Sequence, residues 1–238
     1  MKALILVAGR GKRLKGYTKN FNKCMLKIKN KRLIEYSLDN ASNLNINEIL
    51  IVVGYKSQEI IQTYGYFFKG KKIRYIKQIT QKGLVNAIEI SKKYLKGEDF
   101  VLFLGDEVFS NLKINSNIKN FYKKKLFVSC GVVNVKIVNQ IKKTYSIILG
   151  KNKKIIRLIE KPRKPLNNLM GTGVCIFNNK IFDKIYYTPI HYLRKEKELP
   201  DLIQTAIDDG EEVEYFTIKS PYVNVNTSND IKYAKGLI

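Results

Sequence analysis

Histidine is almost missing from this chain. His191 is the only one, so histidine-based triads and histidine-rich metal sites have little to work with. Cysteine is scarce too. Cys24, Cys130 and Cys175 are far apart and odd in number, which argues against a disulfide framework or a zinc site and for a reducing compartment. Small buried hydrophobes are the role expected of them. No apolar stretch is long enough to span a membrane, and Met1-Lys2 leads into a strand-like run rather than a secretory leader. A cytoplasmic location is therefore expected. Acidic residues are few: 20 Asp and Glu face 44 Lys and Arg, for a formal charge of +24. A basic surface gains affinity for nucleic acid by releasing counterions. Here the cations are spread along the whole chain instead of clustering with aromatics. Lysine, asparagine and isoleucine are abundant together, as in AT-rich coding. The charge is read as that bias plus a general attraction for polyphosphates, and nucleic acid is not expected as the partner.

What is present is an alternation of strand and helix. At 238 residues one α/β domain is expected, with a core of useful size. Strand-like runs fall at Ala3–Val7, Glu48–Val53, Ile73–Lys77 and Phe100–Leu104, with helical patterns at Arg32–Leu44, Ser57–Tyr64 and Leu84–Leu95. That spacing suits a parallel sheet with crossover helices. The later part is richer in strands: Phe127–Lys136, Tyr145–Leu149, Ile155–Glu160, Gly173–Phe177 and Val213–Lys219. Helices follow at Leu199–Asp208, where Pro200 is tolerated in the first turn, and from Ser228. The expected architecture is a single three-layer, Rossmann-like domain over 1–238 with a mostly parallel, mixed sheet. Ligands are expected at the carboxyl ends of the strands.

Chemistry-bearing residues stand at the ends of the apolar runs. Leu4-Ile-Leu-Val7 runs into Ala8-Gly9-Arg10-Gly11-Lys12-Arg13, where glycines permit close backbone approach to phosphate oxygens and three cations crowd one loop. Leu14 stands where the dinucleotide fingerprint needs glycine, and Lys12 is followed by Arg13 where a P-loop needs Ser or Thr. Lys23 follows on a loop that can fold back over the glycines. Gln78 offers an amide that donates and accepts, as base recognition requires, and Gly83 opens a helix after a strand. Gly105-Asp106-Glu107 places acids after an apolar strand, where a carboxylate suits Mg²⁺. Glu160-Lys161-Pro162 ends another strand, and Gly171-Thr-Gly173-Val174 offers backbone approach along the same wall.

Taken in order, these pieces resemble the sugar-phosphate nucleotidyltransferases, with glucose-1-phosphate thymidylyl- and uridylyltransferases similar in pattern. The resemblance spans essentially the whole chain. It rests on Ala8-Gly9-x-Gly11-x-Arg13-Leu14, Lys23, Leu33-Ile-Glu-Tyr36, Gln78-x₄-Gly83-Leu84, Gly105-Asp106, Glu160-Lys161-Pro162, Gly173-Val174 and Tyr222-Val-Asn224-Val-Asn226-Thr227. It implies that Ala8, Gly9, Gly11, Lys12 and Arg13 cradle a triphosphate, with Gly105 nearby, while Gln78 and Gly83 contact a base. Arg13, Lys23 and Asp106 would be catalytic, with Lys23 at the reacting α-phosphate. Asp106, Asn224 and Asn226 would serve Mg²⁺, and Tyr145, Glu160, Lys161, Gly173 and Val174 would line the acceptor pocket. The resemblance implies that about 1–110 binds the nucleotide and about 111–238 its acceptor.

The implied reaction joins an NTP, a pyrimidine one, to a phosphorylated small molecule and releases pyrophosphate without a covalent enzyme intermediate. A sugar 1-phosphate is the leading acceptor, and the product an NDP-sugar precursor. Departures from the family pattern keep other readings open. No proline follows Arg13 closely, Tyr145-Ser146 stands where many sugar-specific members have Tyr-Gly, and Asn224 replaces the usual aspartate. The alternatives are cytidylyl transfer to phosphocholine, a phosphonate or another non-sugar phosphate, or a catalytically silent relative that binds nucleotide-sugar or nucleic acid. Whether the chain forms a homo-oligomer is left open.

Overall fold

The computed structural model describes residues 1–14 and 21–237, with the side chains of Lys12 and Lys153 outside the described set. Two compact units are interleaved along the chain. One comprises Met1–Gln81, Leu102–Lys113 and Ser220–Ile238; the other comprises Lys82–Val101 and Ile114–Lys219.

In the first unit the strand Lys2–Leu6 runs parallel to Glu48–Val53, which runs parallel to Lys71–Lys77. These strands read as unbroken apolar runs because both faces are covered, and Ile49 to Val52 are completely buried. Glu48–Val53 and the helix Ser57–Tyr64 lie where the sequence predicts them. The helix Leu33–Ser42 starts on a capping interaction in which the Glu35 carboxylate accepts the Arg32 N–H at 3.0 Å. The closing helix Ser228–Leu237 packs through Ile231 and Ala234 on a cluster holding Leu26, Ile28, Leu33, Val108, Val223 and Val225. Each fully buried aliphatic side chain in such a cluster is worth about 1.5–3 kcal/mol, so the C-terminal segment is firmly seated.

Short strands escape the sequence reading, and two of them shape the site. Glu107–Phe109 and Tyr222–Asn224 form an antiparallel ladder that pairs Glu107 with Asn224. The Val225 N–H extends it by donating to the Asp106 carbonyl at 2.9 Å.

The second unit holds Val128–Asn134 paired antiparallel with Leu169–Phe177, and Tyr145–Leu149 paired antiparallel with Ile155–Glu160 and with Leu169–Phe177. Val213–Thr217 runs parallel to Val128–Asn134. The helix Leu199–Asp208 takes Pro200 in its first turn, as expected. The helical pattern Leu84–Leu95 is split into Leu84–Glu89 and Lys92–Leu95. At the break the buried Ser91 hydroxyl donates to the Ala87 carbonyl at 2.9 Å, a back-bond that competes with regular helix. The helix Asn115–Lys123 went unpredicted because asparagine and lysine make up more than half of it and leave few apolar positions; Phe121 is its buried anchor. Parallel and antiparallel strands with flanking helices make the chain α/β with a mixed sheet.

Candidate active site

The first loop is built by close packing. Gly11 has φ +63°, and a Cβ there would fall 2.8 Å from the Lys23 Cβ, so only glycine lets the loop lie on the Lys23 segment. Gly9, by contrast, has open space around it. The loop leads into a single helical turn, Lys12–Leu14, closed by the Leu14 N–H to the Gly11 carbonyl at 2.9 Å.

Lys23 is presented by Asn22, which the sequence reading passed over. Asn22 is fully buried, and its amide donates to the carbonyls of Val7 at 2.9 Å and Tyr55 at 2.8 Å. Its oxygen accepts the Cys24 N–H at 2.8 Å, which caps the short turn Lys23–Met25. A buried amide satisfied at both ends fixes the backbone carrying Lys23. A lone asparagine in an Asn-rich sequence gives no hint of this.

Gly105 belongs to the same framework. Its N–H donates to the Leu6 carbonyl at 3.0 Å, and a Cβ would strike the Val7 side chain at 2.3 Å. That fit sets the next residue, Asp106, in the turn between the strands Phe100–Leu104 and Glu107–Phe109. Asp106 Oδ2 lies 2.6 Å from Lys23 Nζ, and Lys23 Nζ also donates to Asn226 Oδ1 at 2.9 Å. Arg13 donates to the same amide oxygen at 2.8 Å. Asn226 Nδ2 donates to Asn224 Oδ1 at 2.5 Å. Arg13, Lys23, Asp106, Asn224 and Asn226 are therefore one connected set.

Side chains alternate along the late segment. Val223 and Val225 are buried in the apolar cluster while the two asparagines meet on the other side. The Asp230 carboxylate accepts the N–H groups of Asn226 at 3.0 Å and Thr227 at 2.8 Å, fixing the turn before the last helix. Glu107 is turned away from the cation set and accepts the Tyr222 hydroxyl at 2.8 Å. Burial, then the Glu107 charge, pushes the Tyr222 phenol well above its ordinary value.

Hard oxygen donors are gathered here: the Asp106 carboxylate and the amide oxygen of Asn224, while the Asn226 oxygen is taken by Lys23 and Arg13. Among the described residues no cluster of three or more His, Cys, Asp or Glu side chains is placed to hold a metal ion. A single carboxylate with amide support suits a Mg²⁺-like cation that takes its remaining ligands from phosphate and water. The set fits such an ion and does not fit a thiolate or imidazole metal.

Gln78 is buried, and its N–H donates to the Val53 carbonyl at 2.8 Å. Gln81, unremarked in the sequence, donates to the Ala8 carbonyl at 2.7 Å and ties the glycine loop to this segment. Tyr55 N–H reaches the same carbonyl at 3.2 Å.

The remaining expected residues lie in the second unit. Gly83, at φ +91°, lies against Glu196: a Cβ there would be 2.6 Å from the Glu196 carboxylate. Glu160 forms an ion pair with Lys161 at 2.7 Å and faces Arg194 at 3.9 Å. Arg194 also pairs with Glu198 through Nε, while its buried NH2 nitrogen has no hydrogen-bond partner among the described residues. Burial is the main cause that raises the Glu160 and Glu196 carboxyls above the ordinary value, and the Glu198 charge adds to both. Asp201 is raised in the same way.

Tyr145 is buried with its ring against Gly171, where a Cβ would come within 1.9 Å, and its hydroxyl donates to the Thr172 carbonyl at 2.9 Å. Gly173 lies in the strand Leu169–Phe177, and Val174 beside it is completely buried in the core. His191 serves its own turn: Nδ1 accepts the N–H groups of Leu193 at 3.2 Å and Arg194 at 3.3 Å. The Lys12 side chain lies outside the described set.

Known proteins are similar to this chain in sequence and in fold. Residues 2–223 match the nucleotidyl transferase family model, and the chain belongs to that family. It is 32% identical over 209 residues to the bifunctional protein GlmU of Methanocaldococcus jannaschii, covering 88% of this chain and 47% of that protein. The chain thus spans about half the length of that relative. Against the UTP–glucose-1-phosphate uridylyltransferase AglF of Haloferax volcanii it is 28% identical over 230 residues, 97% of this chain and 93% of that one. A putative glucose-1-phosphate thymidylyltransferase structure from Bacillus anthracis superposes with a TM-score of 0.88 at 24% identity, covering 100% of this chain and 94% of the other. That likeness establishes the fold. Divalent-metal use is general to the family. Among the described residues no helix is long and apolar enough to cross a membrane.

Proposed function

We propose that this protein transfers an NMP group from an NTP to a sugar 1-phosphate, releasing pyrophosphate and giving an NDP-sugar. The observation that carries the reading is the joining of Arg13, Lys23, Asp106 and Asn226 by hydrogen bonds of 2.6–2.9 Å. It is supported by the uridylyltransferase relative matched along nearly its whole length.

In this reading the glycine loop and Arg13 hold the triphosphate, and Lys23 neutralises charge that builds on the α-phosphate as the acceptor's phosphate oxygen attacks in line. Such catalysis is positioning plus electrostatics. Gln78 takes the base, a pyrimidine. Asp106 and Asn224 would hold Mg²⁺, which when bound supplies charge neutralisation at the phosphates. Glu160 accepts from acceptor hydroxyls. Lys161 and Arg194, both beside Glu160, meet the acceptor's phosphate. Cytoplasmic synthesis of a precursor for surface glycan or lipid fits this activity.

Pyrophosphate release across four NTPs, crossed with sugar 1-phosphates, phosphocholine and phosphonates, tests the reading. Turnover confined to non-sugar phosphates would move the acceptor to the cytidylyl alternative.

A further inference from the structure

Asn226 sits where the family resemblance puts a metal ligand, yet its surroundings are cationic. Its Oδ1 accepts from two positive donors, Lys23 Nζ at 2.9 Å and Arg13 at 2.8 Å. Both groups lack acceptor capacity, so this end of the amide must be the oxygen. The nitrogen end is then directed to Asn224 Oδ1, as observed. The side chain is buried, and its backbone N–H is fixed by Asp230. This amide is therefore oriented by contacts at every polar atom named.

The consequence lies at Lys23. Its ammonium rests between Asp106 Oδ2 at 2.6 Å and Asn226 Oδ1 at 2.9 Å, and its side chain is 9% exposed. Lying against the Asp106 carboxylate, this is the place a hard divalent cation would need. In this structure the chain's own ammonium fills it.

We propose that Asn226 is a positioning residue that parks Lys23, with Arg13, against Asp106, so that divalent metal gains the site only together with nucleotide. This deepens the nucleotidyl-transfer reading and rests on it. A bound triphosphate gives Lys23 a stronger anionic partner, the ammonium leaves Asp106, and the carboxylate becomes available to the metal. A neutral amide suits this role. Aspartate at 226 would give the ammonium a second full negative charge and hold it back from the phosphate.

Mn²⁺ binding to the free, full-length protein, read by the electron paramagnetic resonance of unbound Mn²⁺, tests the proposal without nucleotide and without turnover. Removing the ammonium in Lys23→Met should tighten Mn²⁺ binding by about tenfold or more, equivalent to about 1.4 kcal/mol. Asn226→Ala should bind Mn²⁺ as tightly as wild type or more tightly, because a parked lysine has been loosened and no ligand lost. Adding a non-hydrolysable NTP should tighten Mn²⁺ binding to wild type far more than to Lys23→Met. If Asn226→Ala does not fold, Asn226→Ser gives the same comparison. Weaker Mn²⁺ binding in the Asn226 variant, or unchanged binding in Lys23→Met, overturns the proposal. Absence of pyrophosphate release with these results intact would instead count against the proposed reaction alone.

Discussion

Asp106 and Lys23 stand 83 positions apart in sequence, and their charged atoms meet at 2.6 Å. Each is delivered by close packing that its neighbours enforce. Asn22 fixes the Lys23 backbone, and Gly105, seated against Val7, starts the turn that carries Asp106.

Asp106→Asn removes a full charge while nearly keeping shape. Turnover should fall by at least about a hundredfold, about 2.7 kcal/mol of transition-state stabilisation, with the melting temperature little changed. Steady-state kinetics beside a thermal melt checks both parts; near-normal turnover would take Asp106 out of the mechanism.

Lys23→Met separates placement from general basicity. It should depress kcat strongly with a smaller effect on nucleotide KM, since the ammonium matters most where charge develops. Lys123→Met, at the end of the helix Asn115–Lys123, should do little. Comparable losses in the two variants would mean that diffuse charge, not this ammonium, supports the reaction.

Gly105→Ala tests the packing. The added methyl would meet the Val7 side chain at 2.3 Å, and overpacking of this kind costs about 1–3 kcal/mol. Urea denaturation should show that loss, with activity falling as Asp106 is displaced. A variant as stable as wild type would show that the loop relaxes freely.

Much of this was legible beforehand, for physical reasons. Apolar runs such as Ile49–Val53 and the adjacent glycines, acids and cations announce strands that end in chemistry, because side chains there have nowhere else to face. Asn22, Gln81 and Arg194 were not legible. Their roles come from tertiary contacts, and asparagine, glutamine and arginine carry no periodicity. The ladder joining Glu107–Phe109 to Tyr222–Asn224 was hidden for a similar reason: its strands are three residues long and pair across a long sequence separation. The sequence did show Asn224 and Asn226 on one face. It could not show that Asn226 turns its oxygen to Lys23 and Arg13.

The carboxyl cluster makes a pH prediction. Glu196 is raised above the ordinary 4.5 by burial and then by the Glu198 charge. A carboxyl with a raised folded pKa favours the fold below its unfolded value, and that contribution is lost as pH rises through the folded value. Glu196→Gln should therefore gain stability relative to wild type at pH 7.5, and the gain should shrink by pH 4. Urea midpoints at the two pH values decide it; a gain that grows towards pH 4 would reverse the sign argued here.

All three thiols are buried and free, and burial raises Cys24 far above the ordinary range. A thiol reagent should label none of them in the folded protein and all of them in denaturant. Fast labelling of the native protein would show that the core opens around Cys24 or the Cys130–Cys175 strand pair.

The most direct test of nucleotidyl transfer is pyrophosphate formation with mass detection of the second product. Purified protein would be given UTP or TTP, glucose 1-phosphate and Mg²⁺, with each component omitted in turn. Pyrophosphate should form together with an equal amount of NDP-sugar, only when NTP, acceptor and metal are all present, and not in Asp106→Asn. No pyrophosphate with any NTP and any phosphorylated acceptor would contradict the account.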